Sequence, residues 1–97
     1  MNDVVRLAVR IGDSPTTRTF RGRFAQTLDL LVRNGSDGLT SLESPGVRLS
    51  HYVHVLRRDG VPIETQGERH SGSYAGRHGR YRLTAPVTVI ERETAHG

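Results

Sequence analysis

Serine, histidine and arginine side chains recur at helical spacing near the middle of the chain. Between residues 48 and 59, apolar residues occupy one side of a 3.6-residue period and polar residues the other. Imidazole and hydroxyl groups can bind base edges and guanidinium groups bind phosphate, so this pattern predicts a helix whose outer face contacts the major groove of DNA. The first three residues of the face suit bases, the two arginines that follow suit phosphates, and Arg48 at the helix start suits either. The face comprises Ser50, His51, His54, Arg57 and Arg58.

A basic hairpin is predicted directly after this helix. Gly60 and Pro62 end the helix, and residues 63–68 and 80–84 then alternate as two strands. Residues 69–79 hold three glycines among basic side chains, which predicts a long, flexible loop able to approach a phosphate backbone or a minor groove. The candidate DNA contacts of this hairpin are Arg69, His70, Arg77, His78 and Arg80.

The remaining elements must position this helix and hairpin. In the helix at 23–33, Asp29 is predicted on the exposed side together with Gln26 and Arg33. Asn34 and Gly35 end that helix, and residues 92–97 are predicted to be a frayed tail. The predicted elements are a strand at 4–11, a turn at 12–17 with a short entry segment at 19–20, the helix at 23–33, a short helix that begins at the Thr40-x-x-Glu43 capping box, and a strand at 87–91.

This order predicts an α+β fold of one domain spanning residues 1–97. A helix, a short helix, a longer amphipathic helix and a two-stranded hairpin form the layout of a winged helix-turn-helix, with three helices and a β-hairpin wing. Additional N-terminal and C-terminal strands flank that core. A chain of 97 residues has room for a single hydrophobic core of this kind.

The charge distribution agrees with a nucleic-acid ligand. The chain has a net charge of +4, and every one of its 14 basic residues is an arginine. Residues 48–82 hold seven arginines and three acidic residues, so this segment accounts for the whole net charge. A genome rich in G and C would also favour arginine, and the placement of the arginines therefore matters more than their number.

Catalytic and metal-dependent classes are disfavoured. The sequence contains no Gly-x-Ser-x-Gly elbow, no Gly-x-x-x-x-Gly-Lys phosphate loop and no cysteine, which predicts a protein that is not an enzyme and needs no cofactor. His51 and His54 are spaced as metal ligands on one helix face, with Glu68, His70 or His78 as an alternative third ligand, but no closely spaced residue completes the set.

The chain is expected in the cytoplasm and not in a membrane. No run of apolar residues approaches the length of a membrane span, and the amino terminus lacks the basic and then apolar order of a secretory signal.

Two thirds of the chain, residues 19–83, resemble small winged helix-turn-helix proteins common in alphaproteobacterial genomes and prophages. The resemblance implies a DNA-binding fold of the kind used in transcription regulators and excisionase-like recombination factors, and it identifies no operator. The segments that carry it are 19–23, 27–28, 38–43, 52–57, 63–65 and 79–83.

Two alternatives stay open. The same fold can dock on another protein through its recognition face, and Glu64 and Glu68 on the hairpin strand favour that interpretation. The terminal strands at 4–11 and 87–91 can pair within one chain or across two chains of a homodimer. A two-fold dimer predicts a palindromic site with half-sites about one helical turn apart, or a multiple of it.

Overall fold

A computed structural model describes residues 3–40, 49–70 and 76–95, without the side chains of 68–70 and 76–78. Within these ranges the chain forms two α-helices, a short 3-10 turn and six strands. In chain order the elements are β1 (Val4–Ile11), β2 (Thr17–Arg21), α1 (Gly22–Asn34), the 3-10 turn η1 (Gly35–Asp37), β3 (Leu39–Thr40), α2 (Leu49–Arg58), β4 (Ile63–His70), β5 (Gly76–Leu83) and β6 (Val87–Thr94).

The first sheet has the order β2-β1-β6, and both pairings are antiparallel. Leu7 and Val9 of β1 are fully buried, as their alternation predicts, and Leu7 lies opposite Phe20 of β2. The strand predicted at 4–11 is confirmed. Strand β2 is longer than the short entry segment expected from sequence, since its hydrogen-bonding partner is β1 and lies only a turn away.

The second sheet has the order β3-β5-β4 and contains the predicted hairpin. The β4–β5 register runs from Ile63 opposite Leu83 to His70 opposite Gly76. The long flexible loop predicted at 69–79 is therefore wrong at both ends, because residues 69–70 and 76–79 pair as strand. Main-chain pairing across the hairpin outweighs the three glycines that favoured a loop.

Helix α1 joins the first sheet to α2. Its Ala25, Leu28 and Leu31 are each fully buried, and the helix packs mainly on β1. Burial of one leucine side chain contributes about 2 kcal/mol, so these positions fix α1 on the sheet. The predicted end of the helix is confirmed, since the Gly35 backbone N–H donates to the Leu31 carbonyl.

The predicted third helix is not found among the described residues. Thr40, expected to begin it, is the last residue of β3, is buried, and lies opposite Arg80 of β5. The rest of that segment, 41–48, lies outside the described ranges. The sequence pattern identified Thr40 as a capping residue and missed the two-residue strand that it forms with Leu39. A short strand that pairs with residues far away in the sequence leaves no local sequence pattern from which it could be predicted.

Asp29 and the last strand also depart from expectation. Asp29, predicted on the exposed side of α1, is 4% exposed. Its carboxylate accepts hydrogen bonds from Arg33 one turn along α1 and from Arg92 of β6. Residues 92–94, predicted to fray, are part of β6. The long arginine side chain from β6 covers the carboxylate and satisfies its charge.

Among the described residues, no helix is long and apolar enough to cross a membrane.

Candidate nucleic-acid interface

Helix α2 presents its polar side to solvent. Leu49, Val53 and Leu56 are at most 3% exposed and belong to the common core. The predicted division of the helix into an apolar and a polar face is confirmed, because the residues of the predicted polar face are all exposed. These are Ser50, His51, His54, Arg57 and Arg58. Arg48 lies outside the described residues.

An aromatic contact holds α2 on α1. The rings of Tyr52 and Phe24 meet edge to face, with centroids 5.6 Å apart and planes at 88°. The His51 ring lies beside the same tyrosine at 5.7 Å. Tyr52 therefore holds the first turns of α2 against α1. The exposed His51 ring packs beside the tyrosine ring. Rigid placement of this kind is what side chains that contact a ligand require.

Arg57 connects α2 to the hairpin. Its Nε donates to the Ile63 carbonyl at 3.0 Å, and its Nη2 donates to the Thr65 hydroxyl at 2.6 Å. Both partners belong to β4, so the side chain fixes the angle between helix and hairpin. Sequence analysis predicted a phosphate contact for Arg57, and the structure adds this positioning role, which no periodicity could indicate.

Arg58 differs from its neighbour. Its side chain is exposed at the end of α2, and within the described ranges no carboxylate forms an ion pair with it. A guanidinium that is exposed and not neutralised by the protein itself can bind an external anion at little desolvation cost. Of the two arginines predicted to bind phosphate, Arg58 is the one whose side chain does not also hold the fold together.

The hairpin brings its basic residues to the end that points away from the core. Arg69 pairs with Arg77, and Glu68 pairs with His78, in the last rungs of the β4–β5 ladder. His70 pairs with Gly76. The backbone thus places these predicted hairpin residues in three successive residue pairs of the ladder. Their side chains lie outside the described part of the structure. Whether these side chains contact DNA stays a prediction.

Arg80 lies midway along the hairpin, opposite Gln66, and not at its tip. It is half-buried, and its Nη1 donates to the Asp37 carbonyl at 2.6 Å. Arg82, which sequence analysis did not single out, donates from Nε to the Ser36 carbonyl at 2.7 Å and from Nη1 to Gln66 Oε1. The two arginines bind carbonyl groups of η1 and tie α1 to the hairpin. Their alternation along β5 is visible in the sequence, but η1 is 43 residues or more away.

Arg18 of β2 is a further basic residue that sequence analysis missed. It is exposed, and its Nη1 would be 2.9 Å from a Cβ atom on Gly60, the second residue after the end of α2. An arginine from the first sheet therefore lies against the same end of the helix as Arg58. Nothing in the local sequence around Arg18 indicates this neighbour.

A metal site finds no support among the described side chains. They contain no cluster of three histidine, aspartate or glutamate residues. The third ligands considered for His51 and His54, namely Glu68, His70 and His78, have side chains outside the described part, so that alternative stays a hypothesis on sequence alone.

The chain matches the model of one protein family over residues 17–93, and the description of that family is "winged helix domain". The match begins with β2 and includes α1, α2, the hairpin and nearly all of β6, so it extends beyond residues 19–83 at both ends. No curated protein and no solved structure matches the chain.

Proposed function

Since this chain belongs to the winged helix domain family, we propose that it binds double-stranded DNA through the outer face of α2, with the β4–β5 hairpin beside it. In this proposal α2 enters the major groove, which is about 12 Å wide and admits one helix. The protein acts as a transcription regulator or a recombination accessory factor and not as an enzyme.

One observation carries the proposal. The exposed face of α2 combines His51 and His54, which can bind base edges, with Arg58, which has no carboxylate partner within the described ranges. The hairpin that adjoins it is fixed to the helix by Arg57. A duplex would therefore meet two surfaces whose relative angle is already set, which lowers the entropy lost on binding.

Arg58→Gln tests the phosphate contact. We expect weaker binding to duplexes of any sequence, roughly fivefold, and a salt slope that is lower by about 0.9, because one fewer counterion is released. Fluorescence anisotropy with a mixed-sequence duplex of about 30 base pairs, or three helical turns, at several salt concentrations measures both quantities. Arg58 is preferable to Arg57 for this test, since loss of Arg57 also disturbs β4.

Arg10→Gln is the matched control. Arg10 is an exposed arginine of β1, on the face of the strand opposite to the buried Val9. Its replacement removes the same charge and should leave the salt slope unchanged. Binding that is insensitive to salt, and equal in the two variants, would contradict a DNA-contacting α2 and favour docking on another protein.

His54→Ala tests base recognition. We expect the variant to retain its affinity for mixed-sequence duplexes within about twofold, whereas its preference among sequences becomes broader, since a base contact is worth about 1–3 kcal/mol of discrimination. Selection of duplexes from a random pool by both proteins, followed by sequencing, measures the preference. Identical selected sequences would exclude His54 from base recognition.

The homodimer stays a prediction. Strands β1 and β6 pair within one chain, which is the first of the two expected arrangements. A dimer through the terminal strands must then use the outer edge of β6. Strand β6 has an irregular register next to Val89 where it pairs with β1, and it has charged residues at 91–93. A bulged strand and a charged edge both discourage pairing between edges.

A further inference from the structure

The pairing of β2 in the first sheet does not explain the function of the Arg18 side chain. On β2 it pairs with Val9, whose side chain is fully buried on the core-facing side of the first sheet. Cross-strand partners point to the same face, so Arg18 leaves the sheet on the side where the helices pack. Its guanidinium reaches Gly60, where the Nη1 atom lies 2.9 Å from the position that a Cβ atom on Gly60 would occupy.

The end of α2 offers Arg18 little charge compensation. Asp59 is exposed beside Gly60, yet it forms no ion pair with Arg18 in the described ranges. Three of the last four carbonyl groups of α2 are already engaged, since Val55, Leu56 and Arg57 accept hydrogen bonds from the backbone N–H groups of residues 59–61. An exposed arginine held here keeps its hydrogen-bond donors available for an external anion.

Outside residues 48–82, carboxylates neutralise some of the arginines and not others. Arg6 pairs with Glu91 at 3.2 Å, and Arg33 and Arg92 share the buried Asp29. The sequence outside residues 48–82 sums to zero charge. The structure distributes that zero unevenly, because four of these arginines have no carboxylate partner among the described residues. They are Arg10, Arg18, Arg21 and Arg23. Of the four, Arg18 is distinguished by its approach to Gly60 after the end of α2.

We propose that Arg18 is a DNA-contacting residue that extends the binding surface from α2 onto β2. This inference rests on the proposed function of α2. The guanidinium of Arg18 binds a backbone phosphate adjacent to the one bound by Arg58, at the same end of α2. In this proposal the first sheet contacts DNA directly, since it adds one phosphate to those bound by the protein.

The test compares Arg18→Gln, Arg18→Lys and the control Arg10→Gln in the full chain. Arg10 lies on the opposite face of the same sheet, because it is the neighbour of Val9 in an alternating strand. With the mixed-sequence duplex, we expect Arg18→Gln to weaken binding roughly fivefold and to lower the salt slope by about 0.9. Arg18→Lys should retain the salt slope, and Arg10→Gln should match the unaltered protein.

A purely structural role predicts a different pattern. If Arg18 only stabilises the end of α2, Arg18→Gln should lower the melting temperature while its salt slope stays that of the unaltered protein, and this result overturns the inference. Equal binding by Arg18→Gln and Arg10→Gln also overturns it, and the proposed function survives if Arg58→Gln still reduces the slope. Absence of duplex binding by the unaltered protein removes both proposals.

Discussion

Replacement of Gly38 by alanine is expected to lower the free energy of unfolding by about 2–4 kcal/mol. Gly38 has a φ angle of 69° and a ψ angle of −162°, a conformation that residues with a Cβ atom rarely adopt. The added Cβ would also lie 2.6 Å from the Tyr81 carbonyl oxygen and 2.9 Å from Cγ of Arg82. The first of these neighbours is backbone of the central strand of the second sheet, so it cannot move without disturbing the β3–β5 pairing.

Gly35→Ala separates the two causes. Gly35 has a similar backbone conformation, with φ at 54° and ψ at −128°, but no atom lies within 4 Å of an added Cβ. Its substitution should cost only the conformational part, about 1–2 kcal/mol. Urea unfolding followed by circular dichroism gives both values, provided the denaturant slopes agree. Equal losses in the two variants would show that the contact with Tyr81 adds nothing.

Removal of the Asp29 carboxylate is the second change with a large expected effect. Asp29→Ala should reduce the free energy of unfolding by about 2–4 kcal/mol, because it leaves the partly buried Arg92 guanidinium without its partner and detaches β6 from α1. Arg92 donates to Oδ1 of Asp29 through Nε at 3.0 Å and through Nη2 at 2.7 Å. Arg33 donates to Oδ2 at 2.7 Å, and its side chain is more exposed, so its share of the stabilisation is smaller.

Asp13→Ala is the control for charge alone. Asp13 is exposed in the turn between β1 and β2, and its loss should change stability by no more than about 0.5 kcal/mol. The double variant Asp29→Ala with Arg92→Ala should lose less than the sum of the single losses, since the two side chains act as a pair. Additive losses, or an Asp29→Ala variant as stable as Asp13→Ala, would contradict a stabilising pair between α1 and β6.

The two α2 arginines show why a basic face cannot be assigned from spacing alone. Arg57 and Arg58 are adjacent, have the same chemistry and were predicted to do the same thing. In the structure, Arg57 binds Ile63 and Thr65 of β4, whereas Arg58 has no carboxylate partner among the described residues. A helix places adjacent residues about 100° apart, so one of them faces the hairpin and the other does not.

The sequence by itself determined several of the local elements and the two faces of α2. The alternation of β1, the amphipathic division of α2 and the end of α1 at Gly35 are confirmed, because each depends on the repeat of one element and on residues within one turn of its end. The hairpin after α2 was also predicted, since Gly60 and Pro62 end the helix and alternation resumes at once.

Only the tertiary structure decided what lies opposite each face. The burial of Asp29, the length of β6, the pairing of Thr40 with Arg80 and the approach of Arg18 to Gly60 all join segments that are at least 40 residues apart. Periodicity indicates on which side of its own element a residue lies, but not which distant partner covers that side. A long arginine side chain can reach a buried carboxylate, a distant carbonyl group or a DNA phosphate with the same local sequence around it, and only the packing of the sheets and helices selects among them.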